Sequence, residues 1–400
     1  MLTIEKVFHA REVLREAAEE TEVLRASKIF CDNHIYLKTE NLQNTGSFKL
    51  RGAYYKISQL TDEEKSRGVI ACSAGNHAQG VALAATKNGI KSIICLPEGA
   101  PISKVEATKG YGAEVCMVKG VYDDAYQKAL ELRDQYGYTF VHPFDDEDVI
   151  AGQGTIALEI LEQMPDVDAI VVPIGGGGLI SGIAFTVKQL KSKVKVYGVQ
   201  AEGAASMYES IKRGERITLD GVNTVADGIA VKQPGELTFD LCSKYVDDIF
   251  TVTEDEIAAA ILTLMERKKL VAEGAGAVAV AAAMANKLPF KGKKVVCLVS
   301  GGNIDVNKLS RVIVRGLINT GRRANLTLQL LDKPGQFSEV AHVLADNGAN
   351  LISAFHERNS TATNINTCYI KLEIETKDFN HIDTIRRSLE EHGFKIIDEI

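Results

Sequence analysis

The 400-residue chain has no basic run, no stretch of 18 apolar residues free of charge, and no paired cysteine spacing. Each absence excludes a class of function. A net charge of −7 and a pI of about 5.7, without a basic cluster, argue against a nucleic-acid partner or an anionic membrane surface. Without a long uncharged apolar segment, no transmembrane helix is expected. The first residues, MLTIEKVFHAREVLREAAEE, read as an amphipathic helix and lack the apolar centre of a signal peptide. A cytoplasmic protein is expected. The cysteines at Cys31, Cys72, Cys95, Cys116, Cys242, Cys297 and Cys368 are odd in number and scattered. They suit neither a disulfide framework nor a zinc site, so no metal is expected. Most lie in apolar runs and read as buried reduced thiols.

What is present is the composition of a soluble globular protein, 45% hydrophobic and 25% charged, long enough for about two or three domains. Through about residue 320, short apolar runs alternate with helical patterns. Candidate strands are Gly68–Cys72, Ser92–Leu96, Glu114–Val118, Ala169–Pro173, Lys195–Val199 and Val295–Val299. Each is continuous in apolar residues, as a parallel strand buried on both faces would be. Helices are expected between them, as at Asp123–Gln135 and Glu254–Lys268. The alternation implies a doubly wound α/β architecture.

The pattern changes near Asn319-Thr320-Gly321-Arg322-Arg323, read as a linker. Beyond it come a strand at Leu326–Leu331, a turn at Asp332–Gly335, a helix at Gln336–Asp346 and a turn at Asn347-Gly348. Strands at Leu351–Glu357 and Cys368–Glu375, a helix at Phe379–Glu391 and a strand at Phe394–Ile400 complete it. That order, β-α-β-β-α-β, is the ferredoxin-like α+β unit. No internal repeat or low-complexity segment is found.

Four segments before residue 320 carry chemistry that fits together. In Thr45-Gly46-Ser47-Phe48-Lys49-Leu50-Arg51-Gly52, Lys49 follows a glycine turn near a helix start. A lone lysine is ordinarily a solvated charge, yet lysine is also the residue that forms a Schiff base with an aldehyde. Burial would lower its pKa. Gly175, Gly176, Gly177 and Gly178 follow the strand AIVVPI and precede a helical run. Consecutive glycine amides at a helix N-terminus close around a phosphate; the plainer reading is a flexible loop. No Gly-Lys-Ser/Thr follows, and Ile180 breaks the dinucleotide spacing. Ser73-Ala74-Gly75-Asn76-His77 lies where a strand hands over to a helix, the place ligands bind in open α/β sheets. Its amides, the Ser73 hydroxyl and the Asn76 amide suit a carboxylate and a ring hydroxyl. Singly, Ser and Asn are more often helix caps and His77 a structural histidine. Ser300, in Val299-Ser300-Gly301-Gly302-Asn303, adds a hydroxyl for a heteroaromatic nitrogen. Pyridoxal 5′-phosphate bearing an amino acid needs that set.

With these motifs, and with VADGIA, VAEGAGA and VSGGNID, residues 5 to 320 resemble the threonine dehydratases (threonine ammonia-lyases) of the fold type II pyridoxal-phosphate family. Residues 325 to 400 resemble an ACT domain, an amino-acid-sensing module. The resemblance implies a catalytic domain over 1–320, with a smaller subdomain at about 45–145, and a regulatory domain over 325–400. It implies that Lys49 carries the cofactor and that Phe48 packs on its ring. Asn76 bonds the ring hydroxyl, Gly175 to Gly178 hold the phosphate, Ser300 faces the ring nitrogen and Gly228 approaches the ring edge. Ser73, Ala74, Gly75, Asn76 and His77 grip the substrate carboxylate. Asp332, Pro334, Gly335, Gly348 and Asn350 line the regulatory loops, for an amino-acid or nucleotide effector shared in a homodimer or homotetramer. The reaction implied is deamination of L-threonine to 2-oxobutanoate, and of L-serine to pyruvate, in isoleucine biosynthesis or threonine catabolism.

Serine racemases carry a second serine where this chain has Ala74. Racemisation needs a proton source on each face of the ring, so Ala74 favours elimination. Of the racemases' cation ligands, Glu202 matches one, but Tyr208 stands where an aspartate would be. The alternatives are a serine-preferring dehydratase or racemase, and a non-catalytic amino-acid sensor. The intact Lys49 and glycine run argue against the sensor.

Overall fold

A computed structural model describes residues 1–26, 29, 32–358 and 365–397. It forms two compact units, 1–308 and 309–400. The division falls before the expected linker, because a helix, Val306–Asn319, runs through it. The Asn319–Arg323 segment is the tight exit of that helix. Gly321 takes φ +67°, and Arg323 already begins a strand.

The strands of the first unit are β1 (Val23–Arg25), β2 (His34–Lys38), β3 (Val69–Cys72), β4 (Ser92–Pro97), β5 (Glu114–Val118), β6 (Thr139–Phe140), β7 (Ala169–Pro173), β8 (Lys195–Ala201), β9 (Asp248–Val252) and β10 (Lys294–Leu298). One sheet runs β1-β2-β10-β7-β8-β9, parallel except for the β1–β2 pair. The other runs β5-β4-β3-β6 and is wholly parallel. The chain thus leaves the large sheet after β2, builds the small one, and returns.

All six expected strands form. β7 is buried throughout, and Ile170 and Val172 pack with Ile180, Ile183 and Val196. Each such side chain contributes roughly 1.5–3 kcal/mol, which is why the run is uninterrupted by polar residues. β5 departs from the expectation. It is an edge strand, and Glu114 and Met117 are exposed. The helix expected over Glu254–Lys268 is α-helical to Thr263 and ends in a wider π turn, Leu264–Lys268. Burial lifts the thiols of Cys72, Cys95 and Cys242 to about 12, as buried reduced thiols should be. Cys31 lies outside the described residues. Among those described, no helix is long and apolar enough to cross a membrane.

Beneath the small sheet, the helix Lys49–Ser58 crosses the helix Glu147–Gln163 at two glycines. A Cβ on Gly152 would lie 2.6 Å from the Arg51 carbonyl, and one on Gly52 2.8 Å from that of Val149. At this crossing lies a buried ion cluster. Arg51 donates from Nε and Nη2 to the Glu40 carboxylate, each at 2.8 Å, and from Nη2 to Glu159 at 3.0 Å. Lys38 donates to Glu159 and to the Thr21 carbonyl. Two cations meet two carboxylates, so formal charge cancels.

The second unit carries β11 (Arg323–Leu331), β12 (Asn350–Glu357), β13 (Thr367–Glu375) and β14 (Lys395–Ile397), with helices Gln336–Asp346 and Phe379–Glu391. The order is β-α-β-β-α-β, and the sheet is antiparallel, β12-β13-β11-β14. Leu326, Leu328, Ile370 and Leu372 pack with Val340, Val343, Ile385 and Leu389. The last strand is described to Ile397, and residues 398–400 lie outside the description.

Candidate active site

Parallel strands deliver their following loops to one edge of each sheet. β3 leads into Ser73–Gly75 and the helix Asn76–Lys87, and β7 into the glycine run and the helix Gly178–Leu190. β10 leads into Ser300–Asn303, and β6 into His142–Phe144. The segment before Lys49 is stitched to the β10 loop. Phe48 N–H donates to the Ser300 carbonyl at 3.1 Å, and Gly302 N–H to that of Gly46 at 2.9 Å. Gly46 takes φ +68°, and a Cβ there would lie 2.5 Å from Asn303 Oδ1. Asn303 Nδ2 in turn donates to the Thr45 carbonyl at 2.7 Å and to Asn76 Oδ1 at 2.8 Å.

Lys49 thereby opens its helix, half-buried, with Nζ donating to the Pro143 carbonyl at 2.7 Å. Burial brings its pKa down to about 8, partly opposed by the charge of Glu273. The next residue, Phe144, roofs the glycine run. A Cβ on Gly176 would lie 2.4 Å from its ring, and one on Gly178 2.7 Å from its carbonyl. Gly177 caps the helix with φ +102°. The first amides of a helix have no partner within it, and glycines there add no side chain of their own to cover them. A lysine amine, a bare helix N-terminus, the buried Ser300 hydroxyl and the Asn76 amide form the donor set that pyridoxal phosphate requires.

Not every expected residue is free for ligand. The His77 ring is buried and donates from Nε2 to the Val141 carbonyl at 2.8 Å. Burial and the charge of Lys49 bring its pKa down to about 3. It is a neutral structural histidine, so its ring does not grip a substrate. Ser73 Oγ accepts from Gly75 N–H at 3.2 Å, which orients the hydroxyl and leaves its O–H to donate. Ala74 packs against the small-sheet core. Gly228 is exposed and sits against Ala275 and Glu273. Ser300 Oγ lies 3.4 Å from the Ala275 carbonyl. Asp332, Pro334 and Gly335 lie at the opposite end of the helix Gln336–Asp346 from Gly348 and Asn350, so one copy does not bring them together.

Sequence reasoning missed Glu273. It is buried, accepts from Asn76 Nδ2 at 2.5 Å, and lies against Gly301. Burial and the neighbouring Asp227 raise its pKa to about 7. Its signal was present, since a carboxylate inside the apolar run VAEGAGA has no solvated face to occupy. Lys104 was also missed. Its Nζ pairs with Asp227 at 3.3 Å, beside Gly75, and nothing in its local sequence announced that.

The raised Glu273 pKa costs stability as the pH rises from about 4.5 to about 7, because the unfolded chain gives up that proton first. Glu273→Gln should therefore stabilise the cofactor-free chain above pH 7 by up to ~3 kcal/mol and flatten its pH response below that. Urea unfolding at acidic and slightly alkaline pH measures this. Parallel responses of the two proteins would contradict the assignment.

Comparison with known proteins agrees with this geometry. The family described as pyridoxal-phosphate dependent enzyme matches residues 14–301. An L-threonine ammonia-lyase of Thermotoga maritima is 49% identical over 398 residues, 99% of each chain. The processed form of threonine deaminase isoform 2 from Solanum lycopersicum superposes with a TM-score of 0.76 at 39% identity, covering 78% of this chain and 88% of that one. Maize serine racemase superposes with a TM-score of 0.74 at 34% identity, covering 80% and 98%.

Proposed function

This chain belongs to the family of pyridoxal-phosphate dependent enzymes, and from that premise we propose that it is an L-threonine ammonia-lyase. It converts L-threonine to 2-oxobutanoate and ammonia, and L-serine to pyruvate and ammonia. One observation carries the reading. Lys49, its pKa brought to about 8, is held against the segment that roofs the glycine run, in a chain aligned end to end with a relative named for this reaction. An assay for 2-oxo acid with each substrate tests it, and the absence of product from both would refute it.

When bound, pyridoxal phosphate supplies an aldehyde for the substrate amine and a ring that draws electron density from Cα. The chain supplies the rest. Lys49 would anchor the cofactor and, as a free amine, would take the Cα proton; a pKa near 8 leaves a useful neutral fraction. Gly175 to Gly178 hold the phosphate on helix amides. Ser300 faces the ring nitrogen, and its hydroxyl cannot hold a proton there as a carboxylate would. A ring held this way would be a weaker electron sink, which would favour loss of the β-hydroxyl over transamination. Asn76, oriented by Glu273 and Asn303, meets the ring hydroxyl. Phe48 packs on the ring, and Gly228 leaves room at its edge. The Ser73–His77 backbone takes the substrate carboxylate.

The likeness to a serine racemase favours a second reading, in which serine is also inverted. Ala74 stands against it, since it carries no proton for the far face. A positioned acid is worth about 10²- to 10⁴-fold, so D-serine should form at least ~100-fold more slowly than pyruvate. Chiral analysis of unreacted L-serine measures the ratio, and comparable rates would mean another group serves that face.

For residues 325–400 we infer an ACT regulatory domain, binding an amino-acid or nucleotide effector in a cytoplasmic homodimer or homotetramer. The β-α-β-β-α-β order supports it. So does a cavity of about 320 Å³ lined by Arg322, Arg323, Gly348, Asn350, Glu375 and Lys377, with charges of both signs for the two ends of an amino acid. The edge strand β12 exposes Ile352 and Phe355, an apolar surface that a second copy would cover. Gly348→Asp should leave basal turnover intact and weaken the effector's influence, typically ~1–3 kcal/mol of coupling. Kinetics with isoleucine, valine and AMP test this. No response in the unmodified chain would make the domain an assembly element only.

A further inference from the structure

Three donor side chains that are distant in sequence meet within residues 309–400. Asp332 follows β11, His356 lies on β12 and Cys368 on β13, and one ligand atom from each lies within 4.8 Å of the others. The strand register is the cause. Cys368 pairs with Leu330 of β11, and His356 pairs with Ile370, two residues along β13 from Cys368. Residues two apart on a strand share a face, so the imidazole and the thiol fall on the same side. Asp332 comes directly after the last β11–β13 pair and is tied to that side by its N–H, which donates to the Asn366 carbonyl at 2.9 Å.

We propose that Asp332, His356 and Cys368 form a site for a borderline-soft divalent transition ion of the zinc class, with a fourth position left for water. The donor set selects the ion. One oxygen, one nitrogen and one sulfur suit zinc, whereas calcium and magnesium take oxygen-only sets. With bonds of about 2.0 Å to nitrogen and 2.3 Å to sulfur, tetrahedral donors stand roughly 3.5 Å apart, so the cluster must tighten by about 1 Å. The geometry allows that. Cys368 is fixed in the core beside Leu330 and Ile370, while Asp332 and His356 are exposed and rotate without disturbing packing.

Binding exchanges the thiol proton for the metal, with one proton released to water and a thiolate–metal bond formed. Burial, and then the Asp332 carboxylate, hold the thiol pKa above its ordinary value, so thiolate is scarce without a cation to stabilise it. Asp332 already meets Arg358 Nη2 at 3.0 Å. A carboxylate accepts from several directions, so Arg358 serves as an outer partner to the bound oxygen. The ion would pin the turn Asp332–Gly335 to the β12 and β13 strands.

The test uses the full-length, cofactor-loaded protein, stripped with a chelator and dialysed. Zinc affinity is measured by competition with a chromophoric chelator. Cobalt(II) then serves as a spectroscopic probe, read as difference spectra so that cofactor absorbance cancels. The expected result is one zinc per chain, not displaced by magnesium, and a sulfur-to-cobalt charge-transfer band. Affinity should fall at least ~100-fold in His356→Ala and in Cys368→Ser, with threonine turnover unchanged. Because His356 is exposed, its variant tests the site without touching the core. Equal zinc affinity in the unmodified protein and His356→Ala, or a cobalt spectrum without the sulfur band, would overturn the proposal.

Discussion

Lys49→Ala is expected to lower turnover of L-threonine by at least ~10⁴-fold and to abolish the yellow colour of the loaded protein. Two other lysines near the loop, Lys104 and Lys308, are both engaged with Asp227 and do not replace it. The loss should come without unfolding. A lysine pKa lowered from 10.5 to about 8 means that burying the ammonium opposes folding. That penalty is complete below about pH 8 and lifts as the pH rises toward 10.5, where the unfolded chain also loses its proton. At neutral pH the penalty is worth ~3 kcal/mol, against which the alanine variant loses the packing of the lysine stem. The variant should therefore match the unmodified chain in thermal unfolding while failing in the 2-oxo acid assay. Full turnover without added amine would remove Lys49 from the mechanism.

The second large effect is on stability. Arg51→Met leaves Glu40 and Glu159 buried with Lys38 as their remaining cation, a net charge of −1 where the sum was zero. Breaking a buried ion network from one side typically costs ~3–5 kcal/mol, far above the ~0–1 kcal/mol of an exposed pair. Arg51→Lys should fall between, since it restores the charge but not the two-pronged contact with Glu40. Denaturant unfolding of the three proteins measures the order. A cost below ~1 kcal/mol for the methionine variant would mean that Lys38 and water suffice.

The sequence disclosed most of the fold where elements are long and apolar. β7 was legible because both its faces are buried, and the helix Gln336–Asp346 because its period is regular. β1 and β6 have three and two residues, too few for any pattern. β2 ends on Lys38, a lysine that folding buries completely, so its charge disguised a strand. At the site, motifs singled out the glycine run, Asn76 and Ser300 because each stands just after a strand end, and Lys49 because it follows a glycine turn at a helix start. The direction of the His77 ring was not legible, because it depends on Val141, 64 residues away. Lys104 depends likewise on Asp227, which the fold alone brings close. The Asp332–His356–Cys368 cluster had no spacing signal, since two strands and the turn after a third deliver one donor each.

The order of the strands also governs when the site can exist as the chain is made. The small sheet pairs strands lying between residues 69 and 140, so it can assemble while most of the polypeptide is still unsynthesised. β2 cannot join the large sheet until β10 emerges, because residues 34–38 bond to residues 294–298. Contacts so distant along the chain form slowly, since loop closure precedes their reward. The segment before Lys49 is seated on the loop after β10, so the lysine is among the last residues to reach its working position. Until then β2 has only its antiparallel neighbour β1, an open edge exposed to aggregation. Competence to hold cofactor therefore arrives at the end of folding, and the nascent small sheet has no part of the chemistry to perform while it waits.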